Sequence, residues 1–193
     1  TRGGEWFKGK GRTGAGSKLY CISGHISRPG VYELPMGATL AELIEAGGGA
    51  IGNLVAFSPG GASSGFLPIS FQQTPMDFKS LAEAGSMLGS AGVVVLNDTV
   101  DIASVTLRQL EFFEAESCGQ CAPCRLGSRA LSQAVARYIK TKSRDELAHV
   151  AEVAWEMEEG SICGLGIAAP LPLTSALRHF PEAFCGSEME LNK

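Results

Sequence analysis

Three cysteines at every third position are the feature that most limits what this chain can fold into. The stretch reads Ser117-Cys118-Gly119-Gln120-Cys121-Ala122-Pro123-Cys124-Arg125, and a fourth cysteine, Cys163, follows in a second glycine-rich sequence. Four thiolates can hold either a tetrahedral zinc ion or an iron–sulfur cluster. The doubled spacing wraps one short loop around three corners of an iron–sulfur cube and leaves the last corner to a distant residue. It favours a four-iron cluster, with zinc as the alternative.

Composition excludes several other classes of protein. The chain has 193 residues and a formal net charge of −4, so it has no basic field for nucleic acid. Its six cysteines are grouped in a way that indicates a metal site in a reducing compartment, and we expect a cytoplasmic location. No apolar run approaches the roughly 18 residues that a membrane span requires.

The first half of the chain predicts a glycine-rich linker followed by an α+β domain. Residues 1–17 contain six glycines and almost no apolar periodicity, so we interpret them as a linker that continues from a longer protein and is flexible unless something else holds it. Residues 18–98 then alternate between strands and short helices, beginning with a hairpin and a helix opened by a capping box at Thr39 and Glu42. This order is typical of a β-grasp domain.

The second half, residues 99–193, predicts an up-and-down four-helix bundle. We place its helices at about 100–116, 122–140, 143–160 and 173–184, and a second capping box at Ser143 and Glu146 opens the third of them. The two cysteine segments occupy two connections of this bundle. Both connections can lie at the same end, because the chain runs out along one helix and back along the next.

The chemistry expected of this site is electron transfer. If all four corners of a cluster carry protein thiolates, no iron is open to a substrate, and nearby glycines let backbone amides approach the sulfur atoms. Arg125 would add a positive charge. The three histidines and the acidic face of the third helix form no evident catalytic set, and Cys21 and Cys185 are interpreted as ordinary thiols.

Two groups of motifs resemble a known family. The cysteine stretch with Ser161-Ile162-Cys163-Gly164-Leu165-Gly166 closely resembles the flavin-carrying subunit of the complex I family, which includes the diaphorase subunits of NAD-linked formate dehydrogenases and hydrogenases. Gly24-His25-Ile26-Ser27-Arg28-Pro29-Gly30-Val31-Tyr32 is similar to the start of that subunit's soluble-ligand-binding β-grasp domain. Arg2-Gly3-Gly4-Glu5-Trp6-Phe7 is similar to the exit from its flavin domain.

The resemblance implies a place in a longer electron path. Cys118, Cys121, Cys124 and Cys163 would ligate a [4Fe-4S] cluster that takes electrons from FMN. The family's FMN and NAD(H) sites would lie on an N-terminal part that precedes this sequence. The partners implied are a flavin domain and iron–sulfur subunits of a multi-subunit redox complex.

Two segments, 61–68 and 168–173, look more like the formate dehydrogenase versions of the family than those of complex I. We therefore expect an NAD-dependent formate dehydrogenase as the parent enzyme, with complex I or a bidirectional hydrogenase as alternatives. A zinc-stabilised binding or scaffold module is the alternative of another class.

Overall fold

The structure, a computed structural model, describes residues 2–185. The chain divides after Thr99 into two compact units, each of which has its own core. The first is a mixed sheet with short helices, and the second is entirely helical.

The first unit is built on a five-stranded sheet in the order β2-β1-β5-β3-β4. Its strands are β1 Ser17–Gly24, β2 Gly30–Pro35, β3 Leu54–Ser58, β4 Leu67–Pro68 and β5 Gly92–Asn97. The first and last strands lie side by side in the middle of the sheet and run parallel, whereas the other neighbours pair antiparallel. The predicted hairpin is thus formed by β1 and β2.

Three short helices belong to this unit, α1 Gly4–Lys8 before the first strand, and α2 Leu40–Ala46 and α3 Phe78–Glu83 between strands. The second and third begin after residues whose side chains cap them, Thr39 and Asp77. The predicted capping box is confirmed, because the Thr39 hydroxyl accepts from the Glu42 amide while the Glu42 carboxylate accepts from the Thr39 amide. Along β1, Tyr20 and Ile22 are buried in the core, and Leu19 and Cys21 face outward. One face of the sheet therefore carries the core, as period-two alternation dictates.

Residues before β1 have more defined contacts than a flexible linker would make. The Arg12 amide donates to the Met36 carbonyl at 2.9 Å, and the Arg12 guanidinium pairs with Glu42 at 2.7 Å. The Thr13 hydroxyl reaches the Asp77 carboxylate. These contacts hold the segment against the rest of the first unit. That it leads from a flavin domain remains a prediction.

Asp77 should make the first unit sensitive to acid. This side chain is only 6% exposed and caps α3 by accepting from the Ser80 amide at 2.7 Å. Burial alone would raise the pKa of Asp77, but hydrogen bonds from Thr13 and Ser80 outweigh it and lower the pKa below its ordinary value. A lowered pKa stabilises the fold above the unfolded value of about 3.9, and this stabilisation is lost as pH falls through the folded value.

We therefore expect Asp77→Ala to lower the free energy of unfolding by about 1 kcal/mol at neutral pH. Asp77→Asn keeps a capping oxygen and serves as the matched control. In urea titrations at several pH values, Asp77→Asn should lose the part of the unfolding free energy that depends on acid and keep the part that comes from capping. An acid dependence unchanged in both variants would contradict this account.

The second unit contains five α-helices within its described residues. They are α4 Ile102–Glu116, α5 Ala122–Thr141, α6 Val150–Gly160, α7 Gly164–Ala168 and α8 Leu171–His179. Helix α5 packs between α4 and α6, and α8 contacts both of these helices. Across residues 2–185, no helix combines the length and apolar character that a bilayer crossing requires.

The predicted four-helix bundle is not confirmed. Its third helix was expected to open at Ser143, but residues Arg144–Leu147 form a 3₁₀ turn and α6 begins only at Val150. The Ser143 hydroxyl accepts from the Asp145 amide, and the Glu146 carboxylate binds the Arg137 side chain at 2.6 Å instead of closing the capping box.

The last predicted helix is likewise divided. Helix α8 ends at His179, and Pro181 opens a separate 3₁₀ turn. Proline lacks the amide hydrogen that a continuing helix needs, which accounts for the break.

Candidate metal centre

The four predicted ligands occupy two connections between helices. Cys118 is exposed in the loop that joins α4 to α5. Cys121 is the residue immediately before α5, and Cys124 is buried in its first turn. Cys163 is exposed and immediately precedes α7. Neither Cys121 nor Cys163 uses its side chain to cap the helix that follows, so both thiols remain available as ligands.

The surroundings of Cys121 favour its thiolate form. The pKa of the Cys121 thiol is lowered chiefly by the backbone amide of Ile162, the residue next to Cys163, and the Cys124 amide and thiol act in the same direction. Donors that favour the thiolate also favour metal ligation, because the thiolate is the form that binds.

Cys124 lies in a close contact between α5 and α7. A Cβ atom placed on Gly166 would stand 2.8 Å from the Cys124 Cβ and 2.4 Å from the Ser161 Oγ, both closer than a real Cβ atom can approach. The Cys124 sulfur is also 3.3 Å from the Ser117 hydroxyl. A glycine is thus required where α7 passes the buried thiol.

Arg125 holds the loop that carries Cys118 through a hydrogen bond. Its guanidinium donates to the Gly119 carbonyl at 2.9 Å, and Gly119 itself has a φ of 77°, which glycine tolerates best. The Gly119 amide in turn lies 3.3 Å from the Ser117 hydroxyl. Arg125 therefore places the predicted positive charge at the site and stabilises the loop.

The structure brings Cys121 and Cys124 together and places the segment before Cys163 against them. In residues 2–185, no group of three or more histidine, cysteine, aspartate or glutamate side chains is arranged so that it could hold a metal ion. Four thiolates around one zinc ion would have to converge closely, since each Zn–S bond is about 2.3 Å long. The thiols are not drawn together to that degree, and ligation by Cys118 and Cys163 stays a prediction.

The remaining candidate side chains lie elsewhere. Cys21 is exposed on β1, and the Cys185 thiol donates to the Pro181 carbonyl at 3.1 Å. The His25 ring lies 3.3 Å from the Val95 carbonyl, and His149 pairs with Glu152 at 3.2 Å.

Sequence reasoning missed the two serines beside the thiols. Ser117 precedes Cys118 by one residue and Ser161 precedes Cys163 by two, and this proximity was the only signal that could have identified them.

Two family models match the chain. Residues 104–186 match the NADH-ubiquinone oxidoreductase-F iron-sulfur binding region, a family named for a 4Fe-4S centre, and these residues include all four predicted ligands. Residues 19–67 match the SLBB domain. The donor set fits the cofactor of this family, because four thiols and amides directed at sulfur are what a [4Fe-4S] cluster uses.

Curated relatives and solved structures agree with these matches. The NADH-quinone oxidoreductase F protein of Rickettsia conorii is 42% identical over 185 residues, which cover 93% of this chain and 44% of the relative. The corresponding F 2 protein of Rhizobium meliloti is 42% identical over 191 residues, which cover 95% of this chain and 45% of the relative. An NAD⁺-reducing [NiFe]-hydrogenase in its H₂-reduced state superposes with a TM-score of 0.85 at 27% identity, over 93% of this chain and 31% of that one.

The chain spans less than half the length of the curated relatives it matches, and the match is to their C-terminal part. The cysteine spacing and the matched iron–sulfur region lead to the same conclusion. The chain is homologous to the C-terminal part of NADH-quinone oxidoreductase F proteins.

Proposed function

We propose that this chain is an electron-transfer segment of an NAD-linked oxidoreductase. In this proposal Cys118, Cys121, Cys124 and Cys163 hold a [4Fe-4S] cluster in the helical unit. The observation that carries the proposal is the close approach of Gly166 to Cys124, because it places the segment that follows Cys163 against the first cysteine segment. A bound [4Fe-4S] cluster supplies a centre that accepts and releases one electron at a time.

The residues of the chain hold and insulate that centre. Cys124 is buried at 5% exposure and fixes one corner against the core, while Arg125 and Gly119 shape the loop that carries Cys118. The Ile162 amide lies at the Cys121 sulfur and the Ser117 hydroxyl lies 3.3 Å from the Cys124 sulfur, and hydrogen-bond donors to sulfur favour the reduced form of a cluster. No described group is placed to activate a substrate, so the proposed task is relay.

Partners are proposed from the surface beside the thiols. Ile162 is 79% exposed, and Leu126 and Ile167 expose 62% and 45% of their surface. Large apolar side chains that flank a redox site are suited to contact with another protein. We propose that further iron–sulfur subunits and a flavin domain with FMN and NAD(H) sites complete the electron path. In this scheme residues 18–98, within the first unit, serve as a β-grasp binding domain.

The proposed parent enzyme is an NAD-dependent formate dehydrogenase. Its support is the resemblance of segments 61–68 and 168–173 to the formate dehydrogenase versions of the family. The relatives described above make complex I and a bidirectional hydrogenase the alternative parents. Metal analysis of the purified native assembly decides among them, because the formate dehydrogenase we propose is of the molybdenum- or tungsten-dependent kind, a [NiFe]-hydrogenase contains nickel, and complex I would contain neither.

A redox titration tests the electron-transfer function. The anaerobically reconstituted chain should take up one electron reversibly and develop a paramagnetic signal in electron paramagnetic resonance (EPR) spectra. A loaded protein that stays redox-silent down to the most reducing potentials accessible in water would overturn the proposal.

A further inference from the structure

The Ser161 hydroxyl is a buried hydrogen-bond donor that lacks a partner within the described part of the chain. Ser161 is the residue immediately after α6, and its backbone amide already donates to the Met157 carbonyl at 3.1 Å. The side-chain oxygen makes no such capping bond. A hydroxyl withdrawn from water without an acceptor costs free energy, so its position calls for a partner.

This hydroxyl lies at the proposed cluster. The Ser161 Oγ and the Cys124 Cβ both lie within 3 Å of the point where a Gly166 Cβ would stand, at 2.4 and 2.8 Å. The neighbouring Ile162 amide already points to the Cys121 sulfur. The turn from Ser161 to Cys163 therefore lies beside Cys121 and Cys124, and the unpartnered donor is on that turn.

Ser117 provides the comparison within the same site. Its hydroxyl stands 3.3 Å from the Cys124 sulfur and 3.3 Å from the Gly119 amide, so it already has partners. Ser161 has none among residues 2–185, although it approaches the same cysteine. An acceptor for this hydroxyl must therefore come from outside residues 2–185, and a bound cluster would supply one beside Cys124.

We propose that the Ser161 hydroxyl donates a hydrogen bond to cluster sulfur at the Cys124 corner and thereby raises the cluster's reduction potential. This inference rests on the proposed function. The sign follows from charge, because the reduced cluster carries one more negative charge and gains more from a nearby donor than the oxidised cluster does. Ser161 therefore acts on the cluster through a hydrogen bond and is not one of its ligands.

The test compares three variants of the reconstituted chain by EPR-monitored redox titration. Ser161→Ala removes the hydroxyl, Ser161→Thr keeps it, and Thr106→Val removes another buried, unpartnered hydroxyl from α4. Thr106 lies eleven residues before Ser117 along the chain, a separation of about 16 Å at the rise of an α-helix. All three variants should contain as much iron and sulfide as the unchanged chain.

In Ser161→Ala we expect the equilibrium constant for one-electron reduction to fall about tenfold, which is 59 mV for one electron. Ser161→Thr and Thr106→Val should keep the original potential. A second readout is an exchangeable proton coupled to the reduced cluster in electron–nuclear double resonance, present with Ser161 and lost with Ser161→Ala.

A fully loaded Ser161→Ala protein with an unchanged potential and an unchanged proton signal would overturn the inference. If Ser161→Ala alone fails to load, the proton signal of the unchanged chain and of Ser161→Thr decides, and its absence from both overturns it. Failure of the unchanged chain to hold iron is a different result, which overturns the proposed function together with the inference.

Discussion

Cys163→Ala should abolish the [4Fe-4S] cluster while leaving the helical unit folded. The side chain is exposed and makes no capping bond to α7, so its removal deletes little packing. The only large loss expected is that of the fourth thiolate, without which the cube has an unprotected corner. Iron should fall from about four to at most about three per chain, and the EPR signal of the reduced [4Fe-4S] centre should disappear.

The two cysteines outside the motif provide matched controls. Cys21 is also exposed, and Cys185 is half-buried with its thiol on a backbone carbonyl. Cys21→Ala and Cys185→Ala should keep the full iron content and an unchanged spectrum. A Cys163→Ala protein that still carries four irons with the original signal would show that the fourth ligand has been assigned wrongly.

Gly166→Ala should have the second largest effect, because no space exists for the added methyl group. Its Cβ would lie 2.8 Å from the Cys124 Cβ, which is fixed in the buried first turn of α5, and 2.4 Å from the Ser161 Oγ. Overpacking of this kind costs about 1–3 kcal/mol and would push α7 away from the thiols. We expect a lower free energy of unfolding in urea and a reduced yield of loaded cluster.

Gly164→Ala is the control for the helix itself. Gly164 opens the same short helix, but an added Cβ there meets nothing within 4 Å. Because alanine restricts the unfolded chain more than glycine does, this variant should be as stable as the unchanged protein or more stable by up to about 1 kcal/mol. Equal losses of unfolding free energy and of cluster yield in both variants would mean that the substitutions act through the helix itself and not through the contact with Cys124.

Local sequence signals predicted the elements whose hydrogen bonds are local. The capping box at Thr39 works as expected because both partners lie within one turn of α2. The box at Ser143 did not open a helix, since Glu146 is drawn to Arg137 on the neighbouring α5. A sequence pattern cannot show this competition, because Arg137 becomes a neighbour of Glu146 only after the helices have packed.

The same limit applies to the candidate site. The spacing of the cysteines was sufficient to predict a cluster, because three thiols on one loop already restrict the geometry. The close approach of Gly166 to Cys124 and the buried Ser161 hydroxyl depend on how α7 passes α5. Neither of these two features follows a periodic sequence pattern, so both could be identified only from the tertiary structure.

Elemental analysis of the anaerobically purified or reconstituted chain tests the central claim most directly. Iron, acid-labile sulfide and zinc would be measured on the same sample and divided by protein concentration. Our account predicts about four irons and four sulfides per chain with negligible zinc. One zinc per chain with no sulfide would contradict it and would identify the cysteines as a structural zinc site.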